Sequence, residues 1–139
     1  MLLEQTVSKH YANKDLLEKI YIGLGQLGID KDQLTQSDLS SVDEFHIGGS
    51  EGTLMLAEKL SINASSSVLD IGCGIGGPAR LLSSKIGCKV SGIDLTADFV
   101  NTGNSLTDQV GLSDNVKLIE ASALNIPFAD NSFDVSYMM

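Results

Sequence analysis

Positive charge is scarce in this sequence, cysteine is scarcer, and a long apolar run is missing altogether. Nine Lys and Arg stand against eighteen Asp and Glu, a formal net charge of −9. Polyanion binding needs clustered cations to neutralise phosphates, so a nucleic-acid partner is not expected. A neutral or cationic small substrate suits this balance better. No stretch of 18 apolar residues occurs, so no membrane-spanning helix is expected. Met1 to Lys9 interleaves Glu4, Gln5 and Ser8 with its apolar residues and lacks the basic start and apolar core of a secretion signal. The expectation is a soluble, cytoplasmic protein. Two cysteines, Cys73 and Cys88, without a second pair make no zinc site, and no metal is expected. In a reducing compartment both read as packed free thiols. Repeats and low-complexity tracts are absent as well.

What is present is an ordinary globular balance, 42% hydrophobic and 19% charged, over 139 residues. That length suits one domain, which buries roughly two-thirds of its unfolded surface. Two zones appear along it. Residues 1–65 read as a helical and irregular N-terminal cap. Within them Leu16, Leu17, Ile20, Leu24 and Leu27 share one helical face, and Gly28 stops the helix. Asp30 to Asp43 reads as short polar turns. Ser50 is a candidate N-cap for a helix whose apolar stripe is Leu54, Ala57 and Leu60. Residues 66–139 alternate strands with helices. Val68 to Ile71 is a buried-type strand. Pro78 suits the first turn of a helix and Gly87 its end. Cys88 to Ile93 is a second strand. Thr96 caps a helix carrying Phe99, Leu106 and Val110, which Gly111 ends. Val116 to Ile119 and Phe133 to Met138 are the third and fourth strands. Alternation of this kind predicts an α/β fold with a parallel sheet and right-handed crossovers.

The strongest signal is Asp70-Ile71-Gly72-Cys73-Gly74-Ile75-Gly76-Gly77, between the first strand and its helix. Glycines there allow a sharp turn and close approach of a ligand. The helix start beyond adds unpaired N–H groups and partial positive charge. Gly72, Gly74 and Gly77 satisfy G-x-G-x-x-G, a pattern that by itself suits a dinucleotide equally well. Asp70 weighs against that. Its carboxylate would repel a pyrophosphate crossing the loop, but it would attract the ammonium of a methionine moiety. S-adenosylmethionine carries that ammonium and a sulfonium, and no phosphate. Asp94 ends the second strand, 22 residues after Gly72, where an acidic residue accepts hydrogen bonds from ribose hydroxyls. It serves either cofactor there, or else only helps to start the helix at Thr96.

The segment from Ala121 to Asp134 is the third element, with Ile126-Pro127-Phe128 and Ser132-Phe133-Asp134 as its marked groups. Here the sequence resembles the class I methyltransferases, especially their small-molecule branch, from about Phe45 to the last residue. Gly76-Gly77-Pro78-Ala79-Arg80 and Phe45-His46-Ile47-Gly48-Gly49 are similar to segments of glycine, sarcosine and dimethylglycine N-methyltransferases. The resemblance implies a Rossmann-like sheet of order 3-2-1-4 behind an N-terminal helical extension. It also implies S-adenosylmethionine as cofactor, with S-adenosylhomocysteine as product, and a small methyl acceptor, with an amine as the expected class. The implied cofactor residues are Asp70, Gly72, Cys73, Gly74, Gly76, Asp94 and Leu95, then Ser122, Ala123 and Leu124. Ser122 departs from the family, which often has an aspartate there that reaches the adenine amino group. A serine hydroxyl accepts a hydrogen bond without charge, or the residue is simply a turn serine.

Catalytic residues are not legible with the same clarity. His46, between glycines, is a candidate to position or deprotonate a substrate, or is a structural hydrogen-bonding group. Tyr21 is a candidate lid residue, or else half-buried helix packing. Arg80 either pairs with a carboxylate near the cofactor or has a structural role. The family continues beyond the fourth strand with further strands and helices. The expectation is therefore the cofactor-binding half of the domain, with an open fourth-strand edge prone to self-association or a partner chain. Two alternatives stand beside it: a fold-retaining module or half of a split enzyme, and half of a dinucleotide-dependent oxidoreductase.

Overall fold

Four short strands pair side by side, all parallel, in the order β3-β2-β1-β4. They are β1 (Ser67–Ile71), β2 (Lys89–Asp94), β3 (Val116–Glu120) and β4 (Val135–Tyr137). The computed structural model describes residues 4–6, 9, 15–43 and 48–139. Ahead of the sheet lie α1 (Leu16–Gln26), two 3-10 turns over Lys31–Gln33 and Gln36–Leu39, α2 (Ser40–Asp43) and α3 (Gly49–Lys59). The crossovers are α4 (Gly77–Ile86) from β1 to β2 and α5 (Ala97–Gln109) from β2 to β3. The parallel α/β alternation is as expected, and the order is the Rossmann-like 3-2-1-4 that the resemblance implies.

Local chemistry sets most boundaries. Pro78 sits in the first turn of α4, and Gly87 ends it at φ 84°, its N–H donating to the Ser83 carbonyl. Thr96 precedes α5 in extended conformation, although its own side chain makes no cap bond. β4 is shorter than the stretch from Phe133 to Met138. Asp134 closes its start: its N–H donates to Ser67 O at 2.9 Å and its Oδ2 accepts from Ser67 N at 2.8 Å. Phe133 turns away to meet Phe128 edge to face, with ring centroids 4.9 Å apart. The two phenylalanines of the 121–134 segment thus brace a loop.

The core falls into two clusters, one around the sheet and one under the cap. One cluster joins Val68, Val90, Val116 and Leu118 of the strands to Ala79, Leu82, Cys73 and Cys88. Both cysteines are free and buried, as expected. A second cluster joins Ile20, Leu24, Leu34 and Leu39 of the cap to Ile75 of the glycine loop and Leu106 of α5. Three further details differ from the sequence reading. Leu27 is exposed, because α1 ends at Gln26 and the chain turns there. On α3 the buried face is Thr53 and Ala57, while Leu54 and Leu60 are exposed, because the face is chosen by its packing on α4. Ser50 lies inside α3, whose N-cap is Gly48 at φ 102°. At the β3 edge, Asn104 of α5 exchanges two hydrogen bonds with the backbone of Leu118, at 2.9 and 3.0 Å. That satisfies edge groups that would otherwise invite another strand.

Candidate cofactor site

The crevice outside the carboxyl ends of parallel strands is where open α/β sheets bind ligands. Here the ends of β1 and β2 deliver Asp70 and Asp94 to it, and the glycine loop runs between them. The loop is tied to β2 by its own backbone. Gly72 N and Cys73 N both donate to Ile93 O, at 2.8 and 2.9 Å. Asp94 then clamps the loop from its far side. Its Oδ2 accepts from Gly74 N and its Oδ1 from Thr96 N, both at 2.9 Å. The carboxylate therefore starts α5 and orients the loop at once. Each oxygen has a further lone pair for a ligand hydroxyl. Leu95 is half-buried between Asp94 and the Thr96 cap.

The glycines divide by task. Gly72 and Gly74 have φ of 75° and 55°, and a side-chain carbon at either would meet nothing within 4 Å. Left-handed backbone beside open space is what a loop needs to let a ligand lie against it. Gly76, by contrast, is crowded by Leu118. Gly77, the third glycine of G-x-G-x-x-G, faces no ligand. A carbon there would come within 2.1 Å of the Asp43 carbonyl oxygen, so this glycine exists to let α2 dock. Cys73 packs in the sheet's apolar cluster, 5% exposed. Burial pushes its thiol well up, and the charges of Asp70 and Asp94 add to that, so it is no nucleophile.

Asp70 is 3% exposed, and its Oδ2 accepts a 2.9 Å hydrogen bond from the hydroxyl of Tyr137, its register partner on β4. Burial, then the Asp70 charge, drives the Tyr137 phenol well above its ordinary range, so it stays a neutral donor. Ser122 follows β3, whose neighbour Ala121 donates to Asp94 O at 2.9 Å. Its Oγ donates to Glu4 Oε1 at 2.5 Å and accepts from Leu124 N at 3.1 Å. The Ser122 hydroxyl holds the Glu4 carboxyl below its usual range. Ala123 and Leu124 are exposed beside it, Leu124 by 87%.

Tyr21 is not at this site. Its hydroxyl donates to Gln109 Oε1 at 2.7 Å, at the far end of α5. The thirteen residues of α5 place that end about 18 Å from the Asp94 end. Burial, then Glu18 and Asp32, raises its phenol, and Lys31 lies 5.7 Å over its ring. It pins the cap to α5. His46 lies outside the described residues. Arg80 resolves to the structural role, fully buried. Its Nη1 donates to Ile75 O at 2.6 Å, Gly103 O at 3.1 Å and Thr107 Oγ1 at 3.2 Å, and its Nη2 to Asp43 Oδ1 at 2.5 Å. Sequence reasoning missed Asp43, Tyr137 and Glu4. Each meets its partner across a long stretch of chain, and no local pattern marks it.

A parallel 3-2-1-4 sheet with a ligand-open glycine loop between two strand-end carboxylates is a Rossmann-like methyltransferase fold. Residues 68–139 match the family described as "Methyltransferase domain", and the chain belongs to it. It is 37% identical over 97 residues to Methyltransferase GfsG of Streptomyces halstedii, covering 70% of this chain and 35% of that protein. It is 38% identical over 90 residues to Phosphoethanolamine N-methyltransferase 1 of Arabidopsis thaliana, covering 65% and 18%. Among solved structures it is similar to a SAM-dependent methyltransferase from Thiobacillus denitrificans in complex with S-adenosyl-L-homocysteine. That match has a TM-score of 0.62 and 25% identity, over 72% of this chain and 40% of the other. The chain spans about a third or less of the length of these curated relatives.

Proposed function

We propose that this chain supplies the S-adenosylmethionine site of a methyltransferase acting on a small molecule, with an amine as the acceptor class. The observation that carries the reading is the pair of strand-end carboxylates flanking a loop whose Gly72 and Gly74 open onto free space. Arg80 is the one cation within residues 70–80, and it is buried against Asp43. From this stretch of chain a pyrophosphate would meet the Asp70 carboxylate and no exposed cation. A zwitterion with an ammonium and a ribose finds a partner for each.

When bound, S-adenosylmethionine supplies a methyl group already activated by its sulfonium, and S-adenosylhomocysteine is what remains. The chain's residues then bind and orient. Asp70 would hold the ammonium, Asp94 would accept from the ribose hydroxyls, and the open side of the loop at Gly72 and Gly74 would leave room for the amino-acid tail. Ser122, Ala123 and Leu124 would border the base at the end of β3. In-line transfer needs alignment above all, and alignment contributes up to roughly 7–11 kcal/mol in favourable intramolecular cases. The amine class is supported by the acidic balance of the chain and by the nitrogen acceptor in the name of the Arabidopsis relative.

Calorimetric titration with S-adenosylhomocysteine, with NAD in parallel, tests the reading. Saturable binding of the first alone is expected. Binding of NAD alone would overturn it in favour of a dinucleotide site. One observation favours a second reading, a module that assembles with another chain. The outer edge of β4 has no strand partner among the described residues. Concentration-dependent association in sedimentation would support that reading.

A further inference from the structure

We propose that Tyr137 is a positioning residue for the amino group of the bound methionine moiety, acting through Asp70; this rests on the reading of the site given above. Carboxylate χ2 is a soft, broad torsion, so a strand-end aspartate does not orient itself. In this chain the register of β1 with β4 sets Tyr137 beside Asp70, and parallel register partners project to the same face of the sheet. The tyrosine hydroxyl donates to Oδ2 at 2.9 Å, in a setting where both side chains are buried. A hydrogen bond to one oxygen fixes the carboxylate plane and so fixes where its remaining lone pairs point.

The hydroxyl is the informative atom. Tyr137 is 7% exposed within the main apolar cluster, where a phenylalanine would fill the same volume. A tyrosine at this place brings a buried polar group that needs a partner, and its partner is the one carboxylate at the end of β1. It also makes recognition of the amino group depend on β4. Because burial holds the phenol neutral, it remains a donor through neutral pH.

The test compares two ligands that differ in the group concerned. S-adenosylhomocysteine carries the amino acid. 5′-Methylthioadenosine keeps the adenine, ribose and thioether and lacks it. Tyr137→Phe is expected to weaken S-adenosylhomocysteine about tenfold, in the range for hydrogen bonds to charged groups. It should change 5′-methylthioadenosine less than twofold. In an Asp70→Asn background the same substitution should have little further effect, because the partner it orients is gone. Thermal unfolding checks that each variant folds. On the wild-type chain, NMR of the Tyr137 hydroxyl proton is a second readout, expected to shift with S-adenosylhomocysteine and not with 5′-methylthioadenosine. Equal loss for both ligands, loss for neither, or an unmoved proton would overturn the inference alone. Failure of the wild type to bind either ligand would overturn the reading of the site itself.

Discussion

At the residue scale, Asp94 does three jobs with two oxygens. It starts α5 through Thr96, clamps Gly74, and faces the crevice. Asp94→Asn retains one acceptor oxygen but loses the charge that makes hydrogen bonds to ribose hydroxyls strong. S-adenosylhomocysteine affinity should fall about tenfold or more, since such bonds contribute roughly 1.5–3 kcal/mol, and the unfolding midpoint should fall as well, because the amide NH2 faces the N–H of either Gly74 or Thr96. Isothermal titration and a thermal melt distinguish the two effects. The glycines separate in the same way. Gly74→Ala meets no steric wall and costs only the left-handed conformation, about 1–2 kcal/mol. Its methyl group occupies ligand space, so binding should suffer far more than stability. Gly77→Ala drives a carbon into the backbone of Asp43 and should destabilise first, by more than about 1–3 kcal/mol.

At the scale of elements, a buried ion pair joins α2 of the cap to α4 of the α/β unit. Arg80 and Asp43 have no exposed side-chain surface, and the same guanidinium ties Ile75 of the loop to Gly103 and Thr107 of α5. Breaking such a pair strands a buried charge. Asp43→Ala is therefore expected to destabilise by about 3–5 kcal/mol, measured by urea unfolding. Replacing both partners, as Asp43→Leu with Arg80→Met, should restore much of that loss, because no charge is then left buried. The pair also explains why α2 rests on the first residue of α4: the cap is docked against the loop's own helix. Cofactor binding should therefore weaken in Asp43→Ala even at temperatures where the sheet is intact.

At the scale of the whole molecule, the buried acids set an alkaline limit. The Cys73 thiol and the Tyr137 phenol ionise at ordinary values of 9.0 and 10.0 when exposed, and burial raises both in the fold. Their raised values mean that the fold favours the neutral forms. That stability is fully present below about pH 9 and is lost as pH rises, because the unfolded chain then releases protons that the folded chain retains. Each pH unit beyond the unfolded value removes up to about 1.4 kcal/mol per group. Denaturant midpoints should accordingly be flat through neutrality and fall above pH 9, less steeply in Tyr137→Phe.

The sequence alone determined the order of elements and the location of the loop. Those signals are local: Gly87 and Gly111 end helices, Pro78 opens one, and short apolar runs between them form strands. Asp70 and Asp94 were legible because they flank the glycines at strand ends. Tertiary structure decided how the site is built. Tyr137 lies 67 residues from Asp70, Glu4 lies 118 from Ser122, and Arg80 lies 37 from Asp43. Strand register and helix docking bring such groups together, and no periodicity or turn chemistry encodes those distances. The same holds for Tyr21. Its helix and its amphipathic face were legible, but only the packing of α1 on α5 sends its hydroxyl to Gln109, at the end of the fold opposite the cofactor crevice.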